Sequence, residues 1–222
     1  MPSAARVVVS LALGGSVLVC SFVSSLYLKT SSFRYTPSIQ PQNVAFSIWG
    51  LIFLTGVLRS VLSLFRNTST PLRDLSLGMH ALSFLVSALW APFFSQQRLR
   101  LSCLCLGTAT LLSYASLILS NPLTSSDDFL VTLGVDLLAG WLTVAFGLCL
   151  VIAGLAPDDT SLLLLLIGGT SFVASVTSRP VLLAPVLWAT LLQREYDSNV
   201  RIGVAILIMA LLSSSFTLHR SL

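Results

Sequence analysis

The stretch from Phe129 to Gly154 reads FLVTLGVDLLAGWLTVAFGLCLVIAG, and its reading decides the fold. It carries a single charged residue, Asp136. The run exceeds the roughly 20 apolar residues, at about 1.5 Å of rise each, that take a helix across the hydrocarbon of a bilayer. Its small and polar residues are ordered: Asp136, Gly140, Thr143 and Gly147 follow i, i+4, i+7, i+11 and share one helical face. An unpaired carboxylate at that depth costs roughly 2.5–3.5 kcal/mol on insertion scales, so Asp136 is expected to face a bundle interior, paired or protonated. Two readings of the face stand side by side. It is a ligand-facing or proton-carrying wall, or it is a close-packing surface with Asp136 bonded to a neighbouring helix.

Working outward, the whole 222-residue chain repeats this character. Hydrophobic residues make up 55% and charged residues 9%, against roughly 25% charged in a soluble domain. The mean hydropathy is +0.92. So few charges cannot cover a water-facing surface of this size, and an all-α multi-pass membrane bundle is the fold class that accepts them. Eight apolar segments approach spanning length: Arg6 to Leu28, Val44 to Phe65, Leu77 to Phe94, Leu99 to Leu119, Phe129 to Gly154, Ser161 to Ser178, Val181 to Gln193 and Ile202 to Leu218. The seventh is short, which leaves a seven-span or re-entrant arrangement open. Pro, Asn, Ser and Gln clusters separate the segments, among them Thr36 to Asn43, Asn67 to Pro71, Ser95 to Arg98, Asn121 to Asp128, Ala156 to Asp159 and Arg179-Pro180. The loops are too short to hold a soluble domain. The first segment is longer than the apolar core of a signal peptide and reads as a retained helix.

The net charge of +4 does not point to nucleic acid, because the 12 basic residues are dispersed between apolar runs. They fit snorkelling and lipid contact at helix ends, and Arg59, one to two turns from the end of its span, is read this way. The basic residues divide six against six between the two faces of an eight-span chain, so they do not orient it. Cys20, Cys103, Cys105 and Cys149 lie inside apolar segments. Cys103 and Cys105 point to nearly opposite sides of a helix, which does not suit a metal site. They read as packing or lipid-facing residues. Trp49, Trp90 and Trp188 suit interfacial belts, whereas Trp141 sits mid-span and belongs inside the bundle. His80 is a lone histidine and reads as an ordinary hydrogen-bonding group rather than a haem ligand. No nucleophile-elbow, zinc-protease, P-loop or dinucleotide motif is present, so no catalytic residue, metal or cofactor is assigned.

One stretch resembles a known family. Asn43-Val44-Ala45-Phe46-Ser47-Ile48-Trp49-Gly50-Leu51-Ile52-Phe53, preceded by Pro41, is similar to the helix opening of long tryptophan-rich sensory proteins, relatives of the translocator protein (TspO/MBR) family. Ala88-Leu89-Trp90-Ala91-Pro92-Phe93-Phe94 resembles that family's third-helix Trp and paired aromatic. Gly140-Trp141-Leu142-Thr143-Val144-Ala145 resembles its fifth-helix element, and Leu187-Trp188-Ala189-Thr190-Leu191 an element of the C-terminal extension. The resemblance implies a five-helix module over residues 1–154 and a three-helix extension over 155–222. It also implies a pocket for a planar apolar ligand, porphyrin- or sterol-like, lined by Phe46, Trp49, Trp90, Phe94, Thr143, Ala145 and Trp141, with Asp136 or Thr143 orienting the ligand. The chain departs from the family pattern in three places. No Trp occurs in residues 29–43, Ser87 stands where the family has Asn, and Leu137-Leu138 where it has Pro-Tyr. The fold therefore carries over further than the ligand.

Three functions follow as expectations: a ligand-binding or sensory membrane protein, a structural or assembly subunit of a larger membrane complex, and a small-solute transporter coupled through Asp136. The expected partners are membrane lipid, a porphyrin or sterol, and either a second copy or a membrane complex, with no nucleic acid.

Overall fold

The computed structural model describes residues 4–28, 46–65, 70–120, 126–156, 168–174 and 179–191. Five helices in it are long and apolar enough to cross a membrane: α1 (Ala4–Leu28), α2 (Ile48–Phe65), α3 (Pro71–Ser95), α4 (Leu99–Leu119) and α5 (Ser126–Ile152). Of the sixth expected segment, residues 168–174 are described and are helical (α6). The seventh appears as a 3-10 turn, Pro180–Leu183, running into α7 (Ala184–Leu191). Over the described residues, Pro180–Leu191, together they make an apolar helix shorter than a span. The eighth expected segment and the tryptophan-free stretch 29–43 lie outside the described residues.

The helix ends follow local chemistry. Pro71 opens α3 at a position where its missing N–H costs nothing, and the Thr70 hydroxyl accepts from the Arg73 N–H. α3 therefore begins six residues ahead of the expected Leu77, because Arg73 and Asp74 belong to its first turn. At its other end, Arg98 N–H donates to Phe93 O and Gln97 N–H to Phe94 O. This Schellman closure puts Gln97 at a φ of 60°. α5 closes in the same way, Leu155 N–H to Leu150 O and Gly154 N–H to Val151 O. There the left-handed residue is Gly154, with φ 65°.

The five long helices form a closed ring in the order α1, α2, α5, α4, α3 and back to α1. Side-chain contacts give their directions. Ser60 Oγ donates to Ser10 O, so α1 and α2 run antiparallel. Ser76 and Ser116 exchange hydrogen bonds while Ser83 Oγ reaches Ala109 O, so α3 and α4 are antiparallel too. The salt bridge Arg6 to Asp74 at 3.2 Å ties the N-terminal ends of α1 and α3.

Polarity is arranged inside out. The buried face of α2 is Ile48, Ile52, Thr55, Gly56, Arg59, Ser60 and Ser63, while Leu51, Leu54, Val57, Val61 and Phe65 point outward. On α4, Leu111 is 72% and Ile118 71% exposed, yet Ser113 and Ser116 are fully buried. Water would not select this distribution; lipid does, because apolar side chains cost nothing against acyl chains and polar ones must find partners inside. Many hydroxyls bond back along their own helix, as Thr55 to Leu51 O, Ser63 to Arg59 O and Thr110 to Leu106 O.

Small residues let the backbones approach. A Cβ on Gly134 would lie 3.1 Å from the Thr55 carbonyl, where α5 crosses α2. One on Gly140 would run into Leu182 O and lie 3.1 Å from the Pro185 ring. The Pro180–Leu183 turn and α7 are thus seated directly on α5.

Two outcomes follow. Gly140→Val destabilises the folded protein by about 1–3 kcal/mol, since backbone and proline cannot step aside, while Leu111→Ala on the lipid face changes it little; thermal unfolding in detergent measures both. Gln97→Gly relieves the left-handed turn and stabilises by about 1 kcal/mol in the same assay.

Candidate ligand site

The opening of α2 and the middle of α5 bring aromatic rings together. Trp141 is 1% exposed, and its ring meets Phe46 edge-on at 5.8 Å and Trp49 edge-on at 6.3 Å. Trp49 stacks on Phe53 at 5.3 Å, one turn further along α2. Phe53 leans on Phe84 of α3 at 6.2 Å, and Phe84 on His80 at 5.0 Å. Near the C-terminal end of α3, Trp90 and Phe94 pair at 5.5 Å. These edge-to-face and offset arrangements are the ones ring quadrupoles favour. The indole N–H groups of Trp90 and Trp141 and the Ser87 hydroxyl are buried with no hydrogen-bond partner among the described residues.

Toward the other end of the bundle the interior becomes polar. Arg59 is 2% exposed and does not snorkel. Its guanidinium donates to His80 Nδ1 at 2.8 Å and to Ser76 Oγ at 2.8 Å, with Ser116 Oγ at 3.4 Å. Snorkelling fails as an account of Arg59 because α3 and α4 present these acceptors to the buried face of α2, where the charge can be bonded without leaving the bundle. His80 is fully buried and acts as a hydrogen-bonding group. Since Arg59 can only donate, His80 Nδ1 accepts and its ring proton sits on Nε2.

Asp136 also has a partner. Arg179, just ahead of the Pro180–Leu183 turn, donates to Asp136 Oδ1 at 2.8 Å, with both side chains buried. Its second nitrogen donates to Ser120 O at 2.7 Å and Ser120 Oγ at 2.9 Å, so one guanidinium joins the start of the 179–191 segment to the end of α4 and to α5. Asp136 and Arg59 also interact electrostatically. Along the same α5 face, Gly140 receives Leu182 and Pro185, and Thr143 Oγ1 bonds Ala139 O and the Tyr114 hydroxyl of α4. Of the two readings of this face, close packing with a bonded Asp136 describes Asp136 and Gly140.

The eight sequence-derived site residues therefore divide. Phe46, Trp49 and Trp141 form one cluster, and Trp90 and Phe94 a pair on α3. Thr143 is buried at the α4–α5 seam, and Ala145 is partly buried against the core. Asp136 is held by Arg179. Phe53, Phe84, Arg59 and Arg179 were not singled out as site residues. The spacing of Ser76, His80, Ser83 and Ser87 along one face of α3 was the available clue to a polar interior.

Fold and interior define a multi-pass α-helical membrane protein whose aromatic and polar residues are turned inward. A family model described as TSPO-like protein matches residues 7–154. The chain belongs to this TSPO-like family, and its expected resemblance to the translocator proteins is confirmed. No curated protein and no solved structure matches it.

The buried pair makes a sharp prediction. Asp136→Ala alone takes the carboxylate away from the buried Arg179 guanidinium and costs about 3–5 kcal/mol, whereas the double change Asp136→Leu with Arg179→Met recovers most of the loss. Unfolding of the single and double variants in the same detergent measures the difference.

Proposed function

We propose that this integral membrane protein is a non-enzymatic binding or sensory protein that takes a planar apolar ligand, porphyrin- or sterol-like, against the aromatic groups of α2, α3 and α5. The observation that carries this reading is the pair of buried indole N–H groups on Trp90 and Trp141, without partners among the described residues and set among aromatic rings. A buried donor left unbonded costs about 1–3 kcal/mol. A flat ligand with a carbonyl, carboxylate or hydroxyl oxygen would satisfy it while stacking on the rings. Phe46, Trp49 and Phe94 would supply further ring surface, Ser87 a polar contact, and Thr143 and Ala145 the adjoining wall of α5. Asp136 contributes as the anchor of the 179–191 segment rather than as a ligand contact, because its Oδ1 is engaged by Arg179. That engagement also favours binding over transport coupled through a free carboxylate.

Titration of the purified protein with protoporphyrin IX and with cholesterol, followed by tryptophan fluorescence, tests the reading. Removing both rings with Trp90→Leu and Trp141→Leu is expected to weaken binding at least about tenfold, corresponding to about 1.4 kcal/mol. Trp141→Phe, which keeps a ring and removes the donor, should fall between. Affinity unchanged in the double variant would remove the site.

A further inference from the structure

Cys103 lies about one turn into α4 and Cys149 about one turn from the end of α5. Their Sγ atoms are 2.8 Å apart, and both residues are buried. Cys149 Sγ also lies 3.6 Å from Ser102 Oγ and 4.0 Å from the Leu99 carbonyl, the first residue of α4. Two thiols on different helices have thus been brought into direct contact near one end of the bundle.

We propose that Cys103 and Cys149 are a peroxide-oxidisable dithiol that closes to a disulfide and locks α4 to α5. The chemistry balances with hydrogen peroxide as oxidant. One thiolate attacks the O–O bond and becomes a sulfenic acid, releasing water. The second sulfur then attacks the first, the S–S bond forms, and the sulfenic oxygen leaves as a second water. The two thiols give up two protons and two electrons, and the peroxide takes both. Cys105, two residues on along the same helix, is only partly buried and points away from this contact, while Cys20 lies on α1.

The position gives the bond its consequence. Along the α4–α5 seam, Arg179 ties Ser120 to Asp136 at one end, Tyr114 bonds Thr143 in the middle, and Phe146 lies against Gly107. Among the described residues the end carrying Cys103 and Cys149 shows no comparable tie, and a disulfide there pins the seam at both ends. This inference stands apart from the ligand reading, and neither depends on the other.

The test uses the full chain in lipid nanodiscs, treated with hydrogen peroxide, denatured in acid and SDS, alkylated with N-ethylmaleimide and weighed intact. The reduced protein should take up four maleimides, one for each cysteine, and the oxidised protein two, with phosphine reduction restoring all four. Cys105→Ser should lose the same pair on oxidation. Cys103→Ser should lose none to a cross-link and should instead show a dimedone-trappable sulfenic acid on Cys149. Full alkylation after peroxide, a cross-link that includes Cys105 or Cys20, or sulfinic acid without a cross-link would overturn the proposal.

Discussion

Hydrocarbon offers a polar group nothing to bond to, and this one constraint orders the rest of the molecule. Backbone amides are driven to close on their own helices, and hydroxyl, guanidinium and carboxylate groups are driven to find partners within the bundle. The buried faces accordingly carry many Ser and Thr residues beside their apolar ones, while the outward-facing positions are dominated by Leu, Val and Phe. Many hydroxyls bond the preceding turn, as Thr190 does to Val186 O. Where a charge must be buried it is met by several groups at once, as Arg179 is by Asp136 and Ser120. Small residues at the crossings, Gly134 against Thr55 and Gly140 against Leu182, bring those partners within reach.

The bundle consequently has two unlike ends. Toward the N-terminal ends of α1, α3 and α5 lie the bonded charges: Arg6 with Asp74, Arg59 with His80 and Ser76, and Arg179 with Asp136. Toward the other end lie the aromatic rings and the pair of thiols. Phe53 and Phe84 connect the two, stepping from Trp49 to His80. The polar layer is bonded through most of its groups and acts as framework, although Arg59 Nε and His80 Nε2 have no hydrogen-bond partner among the described residues; the donors set among aromatic rings are where binding chemistry is to be sought. The segment 179–191 is part of that framework, although it lies beyond the residues matched by the family model.

Much of this was legible in the sequence, for identifiable reasons. The five spans could be read because a bilayer demands a length that no soluble core requires, and α4 falls on the residues expected of it. The start of α3 was missed because Arg73 and Asp74 interrupt the apolar run, although Pro71 after Thr70 is a helix-opening pair. Arg59 looked like a snorkelling residue because distance to the helix end can be counted in a sequence. The acceptors opposite it, Ser76, His80 and Ser116, come from two other helices and cannot. The same holds for Arg179 and Asp136 and for Cys103 and Cys149, contacts between distant parts of the chain that only the closed ring of helices creates. The aromatic site was more legible, because Phe46, Trp49 and Trp141 lie in motifs that resemble the family to which the chain belongs.

The inside-out arrangement is tested most directly on α2 by a scan of single spin labels in lipid nanodiscs, reading collisions with oxygen and with a water-soluble nickel chelate. Oxygen contact should rise and fall with a period near 3.6 residues. Maxima are predicted at Leu51, Leu54, Val57 and Val61 and minima at Ile52, Thr55, Arg59 and Ser63, with the chelate excluded throughout. Chelate access along the outward face, or oxygen maxima on the Thr55–Arg59–Ser63 side, would contradict the account.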